Sequence, residues 1–329
     1  MNKLKIIGLS ALAGSLAALS AQAGELSVSG GMEVTYTSRD GSEVTGNPIG
    51  TNKAITFKGS GELDNGYTVS MTHTIPDALS GISSSVYSMT MGDLGTLAIH
   101  AGSAGPLAAI DNVMPTAYEE ADHGMDTGMV LVGAVGNTEN IVVFKTDIAD
   151  GINLGIGYAP NVGSGNAGDG GSAALDGKGS GHEIAITASN LGVDGLSLGA
   201  GTATITEGST SAQNDSSEMT YYAKYAWGPA TIGYQVGEVE LDGATTYNAV
   251  IWGVSFNVND NISLSYQDAE TEYDNASGTD YTSDFEGISA AYNIGPMAIK
   301  FANSDGSRVN GGATAHNDEN TEISVSLSF

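Results

Sequence analysis

Several residue groups have types and spacing that could do chemistry. Gly195-Leu196-Ser197-Leu198-Gly199 matches G-x-S-x-G, the turn that exposes a hydrolase's serine. That chemistry needs a strand-to-helix elbow with Asp and His downstream. Here the motif opens an alternating stretch with no helical pattern after it, so no enzyme is expected. Gly163-Ser164-Gly165-Asn166-Ala167-Gly168 matches G-x-G-x-x-G, but it lacks the strand and helix that would aim a phosphate at its glycines. With 47 glycines in 329 residues, a chance match suffices. The histidines His73, His100, His123, His182 and His316 show no paired ligand spacing, so no zinc site is expected. Acidic loop residues could offer oxygen ligands to Ca²⁺, either Asp274, Asp280 and Asp284 or Glu119, Glu120 and Asp122. EF-hand spacing is absent, and a charge-repelling surface accounts for the same residues.

What must position these groups is legible from the chain's texture. Lys3 and Lys5 precede an apolar run, Ile6–Leu19, and then Ala21-Gln22-Ala23, the small-x-small pattern of a cleavage site. Residues 1–23 therefore read as a secretory signal peptide and 24–329 as the mature domain. No later stretch is long and apolar enough for a helical span. The formal net charge is −28; removing the signal takes away two lysines and no acid, leaving 8 basic against 38 acidic residues. This balance excludes nucleic acid as a partner, which needs clustered Lys and Arg. There is no cysteine, hence no disulfide framework.

Apolar residues then alternate with Ser, Thr and Gly in about sixteen short segments. The clearest is Thr321–Phe329, where Ile323, Val325, Leu327 and Phe329 share one parity and Ser324, Ser326 and Ser328 the other. Short turns such as Asp64-Asn65-Gly66, Gly92-Asp93, Asn259-Asp260 and Gly295-Pro296 alternate with long polar loops. The long ones are Arg39–Thr51, Asn161–Gly181, Glu207–Ser217, Tyr273–Ser283 and Ser304–Glu319. Charge is expected in those loops and aromatics near strand ends. The pattern predicts an all-β fold, a transmembrane antiparallel β-barrel of about 16 strands with a wet lumen. Its closing strand, Thr321–Phe329, should pair with Glu25–Thr37.

One connection departs from this texture. Ser103–Thr138 contains the apolar L-A-A-I-D-N-V-M-P and the cluster Glu119, Glu120, Asp122 and Asp126 around His123. It is too apolar for a loop in water. It should fold into the barrel, packing Leu107, Ile110 and Val113 on the wall. Here the chain resembles the general, non-specific trimeric porins of Gram-negative bacteria. S-M-T-M-G-D-L-G-T-L-A-I-H-A-G looks like a hairpin of the alphaproteobacterial type.

The resemblance implies an outer-membrane homotrimer among lipid and lipopolysaccharide, with Phe329 read by the barrel-assembly machinery. It implies passive diffusion of small hydrophilic solutes and ions through an eyelet formed by 103–138. Asp111, Glu119, Glu120 and Asp122 are the candidate acids. Lys58, Lys145, Lys224 and Lys300, with His100, fall on the lumen face by parity. The enterobacterial loop signature and the dense arginine cluster of the opposite wall are absent, and acids outnumber bases, so mild cation preference is expected. A substrate-specific channel and a non-conducting structural or adhesive barrel are the alternatives.

Overall fold

Period-two alternation becomes sixteen antiparallel strands. They are β1 (Ala23–Asp40), β2 (Ile49–Glu62), β3 (Thr68–Ile75), β4 (Ser84–Thr90), β5 (Thr96–Ala101), β6 (Ile141–Ala149), β7 (Ile152–Ala159) and β8 (Gly181–Ser189), followed by β9 (Leu196–Ile205), β10 (Ser216–Trp227), β11 (Ala230–Leu241), β12 (Thr245–Asn257), β13 (Ile262–Asn275), β14 (Tyr281–Ile294), β15 (Met297–Ser307) and β16 (Asn317–Ser328). The computed structural model describes residues 23–41, 44–76, 84–102, 105–132, 140–162, 179–206, 215–241, 243–309 and 316–329. Of the expected signal peptide, residues 1–22 lie outside the described residues, as do Gly163–Gly168 and parts of 161–181 and 207–217.

Each strand pairs with its sequence neighbours, and β1 closes on β16 from Gly31↔Ser328 to Asp40↔Glu319. Closure pairs the backbone groups that an open edge would leave exposed, the condition for strands to stand in lipid. Phe329 extends the seam, exchanging backbone hydrogen bonds with Gly30 at 2.8 and 2.9 Å. Across the seam Met32, Val34 and Tyr36 oppose Leu327, Val325 and Ile323, all exposed on the outer face. Ser324, of the other parity, is buried inside.

Charge is not confined to loops, which corrects one expectation. The outer faces of β11 and β13–β16 are apolar low down and acidic further along. Asp268, Glu286, Asp305, Glu319 and Asp40 oppose one another in a single row across β13, β14, β15, β16 and β1. Trp252 Nε1 donates to Asp268 at 3.1 Å, marking where the apolar belt gives way to water. The strands continue past that level, so the connections are shorter than expected: 41–48 rather than Arg39–Thr51, 276–280 rather than Tyr273–Ser283, and 308–316 rather than Ser304–Glu319. Backbone pairing does not depend on the hydropathy of the side chains, so loss of apolar alternation marked the membrane edge rather than the strand end.

Wall height is uneven. Strands β12–β14 have 13, 14 and 14 residues, while β3, β4 and β5 have 8, 7 and 6. A tilted strand needs about 9–11 residues to cross the hydrocarbon.

Two substitutions on β16 separate belt from rim. Ile323→Arg, in the belt, should cost about 2–4 kcal/mol in equilibrium urea unfolding from lipid vesicles. Glu319→Lys, in the acidic row, should be neutral or stabilise by roughly 0.2–1 kcal/mol by relieving repulsion from Asp305 and Asp40.

Candidate functional site

The connection between β5 and β6 is the third on the long-loop rim, and it turns into the lumen. Residues 105–132 of it are described; the remainder of 103–138 lies outside the described residues. Leu107 and Ile110 are buried against Ile141, Val143, Ala185 and Ala203, with Val113 packed beside them, as the apolar run anticipated. Further on, Met114, Ala121 and Leu131 join Ala249, Ile251, Ala269 and Phe285.

Docking is completed by backbone N–H groups donating to inward side chains of the wall. Leu107 N donates to Glu183 at 3.2 Å, Val113 N to Gln235 at 3.0 Å and Ala117 N to Ser265 at 2.9 Å. Tyr118 N donates to Ser289 and Ala121 N to Gln267, both at 3.0 Å; Val130 N reaches Thr271 at 3.3 Å. Gln235 and Gln267 also donate back, to the carbonyls of Ile110 (2.7 Å) and Pro115 (3.3 Å). Both glutamines are at most 2% exposed, buried amides that accept from and donate to the loop backbone, with Gln235 also donating to Thr220 on β10 at 3.0 Å. Glycine makes room for the approach: a Cβ on Gly287 would lie 2.7 Å from Ala121 Cα, and one on Gly237 would strike the backbone of Leu131.

At the far side of the lumen the loop meets β1, β15 and β16. The Tyr118 hydroxyl donates to Glu322 at 2.7 Å, and Lys300 Nζ lies 4.1 Å from the Tyr118 ring centroid. Lys300 is also paired with Glu33 at 2.6 Å, and Ser324 donates to the same carboxylate. His123 stands between two carboxylates: Nδ1 is 3.3 Å from Glu119 and Nε2 is 3.4 Å from Glu322. Burial, reinforced by hydrogen bonding to the Glu322 carboxylate, pushes the Tyr118 hydroxyl well above its ordinary pKa, so it stays a donor.

The expected site residues separate into groups. Asp111 is solvent-exposed on the lumen side of the loop, and Glu120 is half-buried. Partial desolvation among the surrounding loop and wall atoms, with repulsion from Asp122, pushes them up to about 6 and about 7 respectively. Asp122 braces the loop itself, accepting from Met129 N at 2.8 Å. Glu119 belongs to the His123 cluster.

The four lysines are not equivalent pore cations. Lys300 is held by Glu33, and half-buried Lys224 lies beside the Met114–Pro115 corner at Gly233. Lys145 pairs with Gly155, against which Pro106 packs. Lys58 is exposed on β2, between Ser27 and Thr72 of the flanking strands. His100 faces inward but is only 8% exposed.

Among the described residues, the trio that brings metal-ligating atoms within 4.8 Å of one another is Glu119, His123 and Glu322, not either acidic trio considered for Ca²⁺. Sequence spacing missed Glu33 and Glu322 because their partners are far along the chain. The available signal was a lone carboxylate in phase with the serines of β16. Gly195 is a turn glycine with φ 81°, and Leu196–Gly199 open the strand β9 rather than an elbow before a helix.

A closed sixteen-strand barrel with an apolar belt, a polar lumen and a loop folded across it defines a transmembrane pore. The chain matches the family model for Gram-negative porins over residues 8–299 and belongs to that family. It is thus an outer-membrane porin. Among solved structures it is similar to a loop L8 deletion mutant of OmpT from Vibrio cholerae (TM-score 0.70, 13% identity, covering 93% of this chain and 99% of that one). It is also similar to an anion-selective porin from Comamonas acidovorans (TM-score 0.69, 16% identity, 93% and 99%) and to a mutant Rh. blastica porin (TM-score 0.64, 16% identity, 93% and 100%). No curated protein matches the chain. At these identities the shared feature is the fold, which does not single out the alphaproteobacterial type.

Gln267→Ala should leave the Ala121 N–H without its acceptor, at a cost of about 1–3 kcal/mol to the folded barrel. Urea unfolding measures that cost, and single-channel recording should show a noisier open level as the loop loosens.

Proposed function

We propose that this porin is a general diffusion pore, passing small hydrophilic solutes and ions with mild preference for cations. The observation that carries this reading is the loop itself, docked along β8–β14 and against β16, narrowing a polar lumen. Lys300 is committed to Glu33, while Glu119, and Asp111 above about pH 6, keep the loop negative. Selectivity follows charge where the passage is narrow. Recording in planar bilayers tests it. Stepwise conductance with a cation-favouring reversal potential in a salt gradient supports the reading. Saturable block by one solute would favour a specific channel, and absence of current an adhesive barrel.

Asp111 supplies a pH test. Its carboxyl, pushed up to about 6, is charged above that pH and neutral below it. Acidifying from pH 8 to pH 5 should therefore weaken cation preference, and Asp111→Asn should reduce that change.

In the same reading the chain works as a homotrimer, directed by the signal in residues 1–23 to a membrane of lipid and lipopolysaccharide. The low wall supports this. Among the described residues these strands run only 6–8 residues, fewer than a tilted strand needs to cross the hydrocarbon, and a shallow apolar depression of ≈ 540 Å³ lies over them, lined by Val69, Met71, Tyr87, Met89, Leu97 and Ile99. A second copy of the chain would cover it. The Phe329 side chain is 78% exposed, free for recognition by the barrel-assembly machinery. Met89→Glu should convert the trimer to monomer on native electrophoresis; an undisturbed trimer would place the contact elsewhere.

A further inference from the structure

The loop tip and the barrel wall bring together a histidine and two carboxylates that no mechanism of passive diffusion requires. We propose that Glu119, His123 and Glu322 form a binding site for a divalent transition-metal ion of the Zn²⁺ class, which ties the loop to β16 inside the pore. One imidazole nitrogen and one oxygen from each glutamate are the ligands, with the remaining position open to lumen water.

Three observations support the assignment. The first is spacing. Metal bonds of about 2.0–2.1 Å in a tetrahedron put ligand atoms roughly 3.3–3.4 Å apart. His123 Nε2 and Glu322 lie 3.4 Å apart, and one ligand atom from each of the three residues lies within 4.8 Å of the others. Glu119 stands 3.3 Å from the ring's other nitrogen, Nδ1, and is partly exposed, so its carboxylate has to swing toward Nε2 to complete the set.

The second is orientation. Glu322 is the least exposed of the three and is already held: Tyr118 donates to one oxygen at 2.7 Å and Thr37 Oγ1 to the other at 3.0 Å. Hydrogen-bonded carboxylates of this kind are what metal sites use to fix their ligands. The third is an unclaimed polar group. Asn320, two residues before Glu322 on the same inward face and packed against Gly124, is 1% exposed, and neither Oδ1 nor Nδ2 has a protein partner. Water carried by a bound ion is a natural partner for such an amide.

Charge and chemistry agree. Two carboxylates and a neutral imidazole carry −2, which a divalent cation neutralises, and further loop acids raise its local concentration. Imidazole suits Zn²⁺, Cu²⁺ or Ni²⁺, whereas Ca²⁺ and Mg²⁺ prefer all-oxygen ligands. Because Glu119 and His123 lie on the loop and Glu322 on the wall, bound metal would stiffen the constriction and add positive charge to it. That effect on flux rests on the diffusion-pore reading; the binding does not.

The test uses the full-length barrel refolded in detergent and titrated with Zn²⁺ by calorimetry. One site per chain is expected, weakened at least tenfold in His123→Ala and in Glu119→Gln. The second variant leaves the Tyr118 and Thr37 bonds to Glu322 in place, so it reports even if the first fails to fold. Co²⁺ should give visible absorption of a low-coordinate site that both variants lose. In bilayers, micromolar Zn²⁺ should lower cation conductance reversibly on EDTA addition, while Ca²⁺ and Mg²⁺ at equal concentration should not. Absence of Zn²⁺ binding, binding unchanged in both variants, or equal action of Ca²⁺ would overturn the site. Absence of any current with Zn²⁺ binding intact would overturn the pore reading alone.

Discussion

A peptide segment laid across the inside of a barrel brings its N–H groups with it, and each one removed from water needs an acceptor. In this porin much of that requirement is met by inward-facing wall side chains rather than by another strand. Glu183, Gln235, Ser265, Gln267, Thr271 and Ser289 each accept from a loop amide. These residues fix the loop's height and path, and hence the shape of the opening left beside it. The lumen face can be polar because it is wet, and it is also polar because it must receive a backbone.

The same constraint explains residues that look ordinary one at a time. Gly237 and Gly287 leave space where the loop backbone touches the wall, so part of the chain's glycine content belongs to the seat of the loop. Apolar contacts also hold the loop in place, with Leu107 and Ile110 anchoring its start and Ala121 and Leu131 its later course. Beyond them, Tyr118 and His123 carry it to Glu322, so a single element spans the lumen from the β6–β9 side to the seam.

Outside, lipid and water divide each strand without interrupting it. The apolar belt ends near Trp252 and Tyr266, and the outer face then carries opposed carboxylates, an arrangement tolerable only in water and counterions. The low wall at β3–β5 and the high wall at β12–β14 give the barrel two unlike sides.

Strand number, closure, the lipid-facing parity and the inward fold of the third loop were legible in the sequence. They follow from local rules: alternation fixes the face of every side chain, and an apolar loop must find cover. Strand ends were not legible, because the ladder runs on through Glu270, Glu272 and Asp274 where the apolar pattern stops. Nor was the pairing of charges. Glu33 with Lys300, and Glu322 with His123, join residues 267 and 199 positions apart, and only the closed seam and the crossing loop bring them within reach. Sequence by itself determined what kind of wall the protein builds. Tertiary structure decided which side chains meet across its lumen, because that depends on strand register and on where the loop comes to rest.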